Sequence, residues 1–226
     1  MKLSKFIVFC GLTMVLAGCV SAKTQIEVSE IYTTPETDFY TADIKIPVFL
    51  GEDSLNNLIS TQMDVWFLNF QDEITWQLDS PLFQNQDFKC AFYGNWQLEQ
   101  NSPEYISVLL SAYSFTGGAN GLDQLASFTW NKKSDRLVTL QDLVPMVANP
   151  PSLEVLSNLC QKQLNQILDA ENDSDLQEMI ALGTEPLQEN FQVFTLSEKG
   201  ATIYFTKYQV APGSFGIQKV FLPFVK

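Results

Sequence analysis

Runs of apolar and polar positions divide the first half of the chain into strand-like and helix-like segments. Residues Tyr40–Leu50 alternate apolar and polar side chains, which is the period of a strand, and Pro47 favours a place at a sheet edge. Gly51-Glu-Asp-Ser54 is a helix-entry signal. Apolar residues then recur every three or four positions over 54–78, which predicts one long amphipathic helix. We expect the aromatic side chains of its apolar stripe to fill the core.

The second half of the chain predicts shorter elements in quick succession. Three β-type runs, Phe88–Leu98, Tyr105–Phe115 and Leu122–Trp130, are joined by short connections, which predicts an antiparallel meander. The later predicted elements are a helical turn at Asp142–Met146, helices over Leu153–Leu168 and Asp173–Leu182, and strands at Phe191–Leu196, Ala201–Phe205 and Ile217–Phe224. This order predicts an α+β protein, a single domain in which helices pack against an antiparallel β-sheet.

The start of the chain has the form of a bacterial secretory leader. Two lysines precede an apolar block at Phe6–Leu16, which is too short to span a membrane. Leu16-Ala17-Gly18-Cys19 resembles the lipobox of bacterial lipoproteins, in which the cysteine receives a diacylglycerol. We therefore predict a lipoprotein signal peptide at 1–18, a lipidated N-terminus and linker at 19–38, and the folded domain at 39–226. An ordinary secreted protein or an uncleaved anchor is the alternative.

Such an anchor would tether the domain at the bacterial cell envelope. Several acyl chains on Cys19 would hold the protein at a membrane more firmly than a single chain does. Val20 stands where an inner-membrane retention signal of the Gram-negative type has aspartate. This favours the outer membrane or its periplasmic face in a Gram-negative cell, and the outer face of the cell membrane in other bacteria.

Charge is the feature of composition that bears most on partners. The chain has 13 basic and 26 acidic residues. Without Lys2 and Lys5, which belong to the leader, 11 basic residues face 26 acidic ones and the net charge is −15. Such a surface repels nucleic acid and anionic lipid and attracts cationic partners over a long range, although solubility alone also explains it.

Two cysteines remain in the predicted domain. Cys90 lies in a predicted strand and Cys160 on the apolar face of a predicted helix, so the two can meet across a core. An oxidising envelope permits a disulfide between them, and two buried free thiols are the alternative.

Two aromatic stretches that run into glycine clusters are the candidates for a binding surface. The cluster Gly117, Gly118 and Gly121 permits positive φ, so the chain can turn tightly and keep its amides open. An anion could bind those amides, but a structural turn is the favoured interpretation. The neighbouring rings either fill a sheet core or form a recognition surface for a glycan or a protein. The candidate binding residues are Tyr113, Phe115, Gly117, Gly118, Asn120, Tyr208 and Phe215.

The succession of motifs resembles one known domain family. The motifs are Tyr113–Gly121, Phe128–Trp130, Val138–Leu143, Phe194–Leu196, Ile203–Phe205, Tyr208–Pro212 and Gly216. Their order is similar to that in the extracytoplasmic domain of unknown function of the lysozyme-sensing anti-sigma factor RsiV and the peptidoglycan deacetylase PdaC. The resemblance implies an antiparallel sheet with helices packed against it and a lysozyme-like ligand. The family typically has histidine where this chain has Asn120, so a role that requires an imidazole there does not carry over.

The absence of histidine limits the catalytic mechanisms and metal sites that the chain can support. It excludes Ser-His-Asp and Cys-His catalysis and zinc sites built on histidine. Paired carboxylates could still act on glycans, yet Asp72 with Glu73 and the acids of 169–175 stand on predicted helix faces or in polar segments. The segment 169–175 also lacks the central glycine and terminal glutamate of an EF-hand loop. We therefore predict no catalytic residue, no metal and no cofactor.

Together these features predict a lipid-anchored binding or sensing module of the cell envelope that is not an enzyme. Its expected partner is a cationic protein such as lysozyme, or a peptidoglycan fragment, and not a nucleic acid. The alternatives are an envelope enzyme that acts on glycan through carboxylates and an accessory structural lipoprotein.

Overall fold

The computed structural model describes residues 27–77 and 89–225, so the predicted leader and Cys19 lie outside the described residues. The strands are β1 (Val28–Thr33), β2 (Tyr40–Phe49), β3 (Cys90–Asn101), β4 (Tyr105–Phe115), β5 (Leu122–Asn131), β6 (Arg136–Leu137), β7 (Phe194–Leu196), β8 (Gly200–Phe205) and β9 (Gln218–Pro223). The helices are α1 (Asp53–Gln77), α2 (Leu140–Val147), α3 (Leu153–Ile167) and α4 (Ser174–Gly183). Short 3-10 turns cover Ala170–Asn172, Gln188–Phe191 and Gly213–Phe215.

The strands form two sheets. A six-stranded sheet has the order β1-β2-β3-β4-β5-β6, and a three-stranded sheet has the order β7-β8-β9. The predicted α+β class is confirmed. The large sheet departs from the predicted antiparallel arrangement where β2 and β3 run parallel, with Tyr40 opposite Cys90. The reason is that α1 returns the chain along the sheet before β3 begins, as in other strand-helix-strand connections.

The chain divides into two compact units. The first unit comprises the described residues up to Gln97 together with Leu110–Ala126. The second comprises Leu98–Leu109 together with the described residues from Ser127 onward. Because the divisions fall within β3, β4 and β5, each of these strands contributes residues to both units.

The first unit has an aromatic core against the long helix α1. Phe70 packs edge-on to Tyr40 with 5.5 Å between ring centroids, and lies 5.4 Å from the ring of Phe92. The Asn56 side chain accepts from the backbone N of Phe49 and donates to its carbonyl, both at 2.8 Å, which fixes the helix entry to the end of β2. The aromatic stripe of α1 is thus in the core, as predicted. Of the helices in the described residues, none is long and apolar enough to cross a membrane.

Side-chain caps define the helices of the second unit. Thr139 begins α2 with a reciprocal capping box, in which its hydroxyl accepts from the Asp142 backbone N and the Asp142 carboxylate accepts from the Thr139 backbone N. Ser152 caps α3 by accepting from the backbone N of Val155 at 3.2 Å. Asp173 caps α4 in the same way. The capping role of Asp173 gives the acidic segment 169–175 a structural purpose, and no group of three or more metal-ligating side chains occurs among the described residues.

Cys90 and Cys160 are both buried free thiols. Cys90 lies in the first unit and Cys160 in the core of the second, where burial raises the pKa of its thiol to about 12. The two cysteines are thus buried free thiols, which is the alternative to the predicted disulfide. Each packs as a small apolar side chain in the core of its own unit.

Serine hydroxyls complete the edge of the small sheet at β7. The backbone N of Phe194 donates to Ser127 Oγ, and that of Leu196 donates to Ser107 Oγ, both at 2.8 Å. Ser107 Oγ also shares a hydrogen bond with Thr129 Oγ1 at 2.8 Å, and both of these side chains are buried. Two alternate amides of β7 are thus bonded to side chains instead of to a further strand.

Candidate functional site

The glycine-rich turn lies between β4 and β5 in the first unit. Gly117 and Gly118 have φ angles of 112° and 93°, which L side chains rarely adopt. A side chain at Gly118 would have room, because no atom lies within 4 Å of the position of its Cβ. Glycine is favoured there only by the positive φ angle. Gly121 is different, since its Cβ would overlap the ring of Tyr113 and stand 2.5 Å from Cε2. The tip of the tyrosine ring therefore lies in close contact with the Gly121 backbone.

We expect Gly118→Val to lower the free energy of unfolding by about 1 to 2 kcal/mol, because a β-branched residue at this positive φ is strained. Denaturant unfolding of the purified protein measures the change. Gly118→Asn is the matched control and should cost less, since asparagine tolerates positive φ. Equal stability of the valine variant and the original chain would contradict the prediction.

Two tyrosines, one exposed and one partly buried, form an aromatic pair beside this turn. The rings of Tyr93 and Tyr113 stack with 6.3 Å between centroids and 22° between planes, and we call them the tyrosine pair. Tyr93 is 51 % exposed, and Asn120 and Leu122 at the turn are also exposed. Tyr93 is thus exposed to solvent and stacks on Tyr113, which in turn contacts the Gly121 backbone.

Of the predicted binding residues, five belong to this region, and the structure adds Tyr93. Phe115 is partly buried at the end of β4, next to Thr116, whose hydroxyl donates to Glu73 at 2.7 Å. Tyr93 was missed by the sequence analysis. A signal for it exists in the sequence, because Tyr93 is the outward member of the alternating run Phe92-Tyr93-Gly94 in β3.

The other two predicted residues, Tyr208 and Phe215, belong to the second unit. Tyr208 has φ of 71°, uncommon for a residue with a side chain, and the residue is 61 % exposed. A Cβ on Gly213 would overlap that ring, so the ring packs on the Gly213 backbone. The Lys207 ammonium lies 5.8 Å from the ring centroid. Phe215 is 46 % exposed. Tyr208 and Phe215 thus belong to the second unit, whereas the sequence analysis had grouped them with the residues of the glycine-rich turn.

The second unit also contains a groove beside α2 that the sequence analysis did not predict. It consists of two adjoining cavities of about 340 and 300 Å³, and both are lined by Leu140, Gln141 and Gln188. We call this the α2 groove. The first cavity is otherwise lined by Val144, Pro145, Pro151, Ser152 and Leu153, and the second by Ser127, Thr129, Leu137, Val138, Thr139, Gln192 and Phe194. Its residues come from distant segments, so no local pattern could have indicated it.

An ion pair lies at the start of α2. Arg136 donates to both carboxylate oxygens of Asp142, at 2.7 and 2.9 Å. The Thr139 backbone N donates to the same carboxylate at 2.8 Å. The Arg136 guanidinium, and then the Thr139 amide, hold the pKa of the Asp142 carboxyl well below its usual range. Arg136 therefore has a structural role at an exposed site, and the paired carboxylate is not available as a general acid or base.

Replacing Asp142 should change how stability depends on pH. Because the pKa of its carboxyl is lower in the folded than in the unfolded chain, this group stabilises the fold above about pH 4 and loses that effect as pH falls further. We expect Asp142→Asn to cost about 1 kcal/mol at neutral pH and to flatten the acid limb of the stability profile. Urea unfolding at a series of pH values measures both, with the exposed carboxylate variant Asp38→Asn as control. An unchanged acid limb would contradict the assignment.

Family models match both parts of the chain. One described as a protein of unknown function, DUF3298, matches residues 146–225, and one described as deacetylase PdaC matches residues 33–123. The peptidoglycan-N-acetylmuramic acid deacetylase PdaC of Bacillus subtilis is 28% identical over 60% of this chain, but this covers only 26% of its own length. The anti-sigma-V factor RsiV of the same organism is 23% identical over 92% of this chain and 70% of its own.

Solved structures agree with these matches at the level of the fold. A crystal structure of a DUF3298 family protein from Pseudomonas aeruginosa PAO1 superposes with a TM-score of 0.63 at 15% identity, covering 90% of this chain and 96% of its own. One from Bacteroides fragilis NCTC 9343 gives the same score and identity, over 89% and 92%. At this identity the likeness concerns the fold alone.

Proposed function

Because this chain carries an RsiV/PdaC-type domain of unknown function, we propose that it is a binding or sensing module of the cell envelope whose ligand is a cationic protein of the lysozyme type. The observation that carries the proposal is the tyrosine pair, an aromatic face that is exposed and yet fixed in place. A ring already held by stacking loses little conformational freedom on binding, so its contacts contribute to affinity at low entropic cost.

Charge supports a cationic ligand. The chain has twice as many acidic as basic residues, and a negative surface speeds the encounter with a positive protein. Lysine and arginine side chains also pack favourably on the faces of exposed tyrosine rings. Steering by charge is not selective by itself, so specificity must come from close contacts such as those at the tyrosine pair.

The experiment compares two cationic proteins. The purified protein is immobilised and its binding to lysozyme and to an unrelated protein of similar positive charge is measured across a salt series. Specific recognition should survive at physiological salt for lysozyme alone, because close contacts are screened much less than exposed charges. Equal binding to both proteins that disappears together as salt rises would reduce the proposal to charge attraction.

Variants at the ring face locate the binding site. We expect Tyr93→Ala to weaken lysozyme binding by about tenfold, the usual effect of removing an aromatic anchor. Trp76→Ala is the matched control, since Trp76 is a highly exposed aromatic residue of α1 in the same unit. Asn120→Ala tests the neighbouring turn. Equal losses for Tyr93 and Trp76 would count against a defined site at the tyrosine pair.

A peptidoglycan fragment is the second candidate ligand. One relative is a peptidoglycan deacetylase, and an exposed tyrosine ring can stack on a sugar face as well as on a cationic side chain. A muramyl glycan fragment in the same binding assay distinguishes the two, because its binding would not require a cationic protein surface.

The lipid anchor is part of the proposal. The relatives support a cell-envelope location, and the lipobox-like residues before Cys19 favour attachment there. Mass spectrometry of the protein from its native membrane should find acyl chains on Cys19 and no residues before it. Cys19→Ala should release or misprocess the protein. A mature chain that begins at another residue would overturn this part.

We propose that the protein is not an enzyme, and two alternatives compete. A glycan-acting enzyme that uses carboxylates would release reducing ends or acetate when incubated with peptidoglycan. An accessory structural lipoprotein would bind neither lysozyme nor peptidoglycan fragments and would instead be recovered with envelope proteins after cross-linking.

A further inference from the structure

We propose that the α2 groove binds an extended, uncharged peptide segment, with one apolar side chain of that segment in the cavity against α2. This site is distinct from the tyrosine pair and does not rest on the function proposed above. The argument depends on three features of the groove: its amide groups, its apolar end and its lack of charge.

Three exposed glutamines line the groove. Gln141, Gln188 and Gln192 are exposed, and within residues 27–77 and 89–225 their side-chain amides bond to no other residue. Each carboxamide has both a donor and an acceptor, which is what the N–H and C=O groups of a peptide backbone require. Glutamines from two different segments therefore line the groove, and their carboxamides can pair with a bound peptide backbone.

One end of the groove is apolar. Leu140, Val144 and Leu153 line the first cavity together with two prolines. Its volume of about 340 Å³ is at the lower end of the range for ligand pockets, and suits an aliphatic side chain with its neighbouring backbone. The second cavity continues from the first through shared residues and is richer in hydroxyl groups. An occupant of both cavities must be elongated.

The groove is uncharged in a strongly acidic protein. No aspartate, glutamate, lysine or arginine lines either cavity. Asp142 follows the lining residue Gln141, but its carboxylate is paired with Arg136. A charged ligand would lose its hydration here without gaining an ion pair, which favours a neutral occupant.

The lining favours a peptide over a glycan. Sugar rings bind best against exposed aromatic faces, and no tyrosine or tryptophan lines the groove. The aromatic residue that does line it, Phe194, is only 5 % exposed. The groove therefore has no exposed aromatic face on which a sugar could stack. It does have glutamine side chains and an apolar cavity, which suit a peptide.

The test is an NMR titration of the isotopically labelled protein with a capped, uncharged hexapeptide, acetyl-Ala-Gln-Leu-Ala-Gln-Ala-amide. Amide signals of α2 and of Gln188–Gln192 should shift, and the affinity should be unchanged across a salt range of about 50 to 500 mM, because no charges meet. The same peptide with lysine or glutamate in place of leucine, and tetra-N-acetylchitotetraose, are the comparison probes. They should bind at least about tenfold more weakly.

Variants make the assignment specific. The double variant Gln141→Ala/Gln188→Ala should weaken hexapeptide binding by about tenfold without loss of fold, since both residues are exposed. Gln166→Ala is the matched control, an exposed glutamine of α3 that lines neither cavity, and should bind as the original chain does. Absent shifts with the hexapeptide, equal affinity of the double variant, or preference for the chitotetraose would each overturn the proposal. The proposal of lysozyme binding does not depend on any of these outcomes. Either proposal can therefore be disproved without the other.

Discussion

We expect Gly183→Ala to destabilise the protein by about 3 to 5 kcal/mol, the largest loss among the substitutions considered. Gly183 ends α4 against the chain at Gln209 and Val210. A Cβ there would overlap the carbonyl oxygen of Gln209 and lie 2.7 Å from its carbonyl carbon and 2.8 Å from Val210 Cγ1. These are mainly backbone atoms, and Val210 is fully buried, so relief requires the two segments to separate.

Separation of these segments would also break polar contacts. The Gln209 side-chain amide donates to the carbonyls of Gly183 and Asn190, both at 3.1 Å. Thermal and denaturant unfolding measure the loss, and Ala181→Ser at an exposed position of the same helix should stay within about 0.5 kcal/mol of the original chain. A loss below about 1 kcal/mol for Gly183→Ala would mean that the close approach is not required.

Ser107→Ala should cause the second largest loss of stability, lowering the free energy of unfolding by about 2 to 4 kcal/mol. The Ser107 hydroxyl is fully buried and bonds to both the Leu196 amide and the Thr129 hydroxyl. Alanine would leave two buried polar groups without this partner, and each such group costs its desolvation.

A comparison with Ser127 separates burial from hydrogen bonding. Ser127 accepts from the Phe194 amide at the same distance but is only partly buried, so Ser127→Ala should cost about 1 kcal/mol, water replacing the lost hydroxyl. Denaturant unfolding of both variants checks the order. Equal losses would show that burial does not decide the cost.

Most helices and strands were predicted correctly because the spacing of apolar side chains that identifies them lies within each segment. α1 spans Asp53–Gln77, close to the predicted 54–78, since its apolar stripe and its entry signal both lie within the segment. The predicted strand at Phe191–Leu196 is only partly right. Gln188–Phe191 is a 3-10 turn, and Phe191 is apolar because it is a core residue, not because it belongs to a strand.

The pairing of strands and the formation of the α2 groove could not be predicted in the same way. The parallel pairing of β2 with β3 depends on where α1 returns the chain, which no alternation of side chains within either strand encodes. The turn at Gly117 and Gly118 and the ring of Tyr113 were identified from sequence because they are close together in the chain. Tyr93 comes from the preceding strand, and the α2 groove combines residues as far apart as Ser127 and Phe194.

The serine hydroxyls bonded to β7 also oppose the addition of a strand from another molecule. An open sheet edge with free amides is a template on which a strand from another molecule can add, and proteins commonly block such edges with charges, prolines or bulges. At β7 the amides of Phe194 and Leu196 already donate to buried or half-buried hydroxyls. An incoming strand finds no free donor at these two residues, so its addition at this edge would have to break hydrogen bonds that the fold already makes.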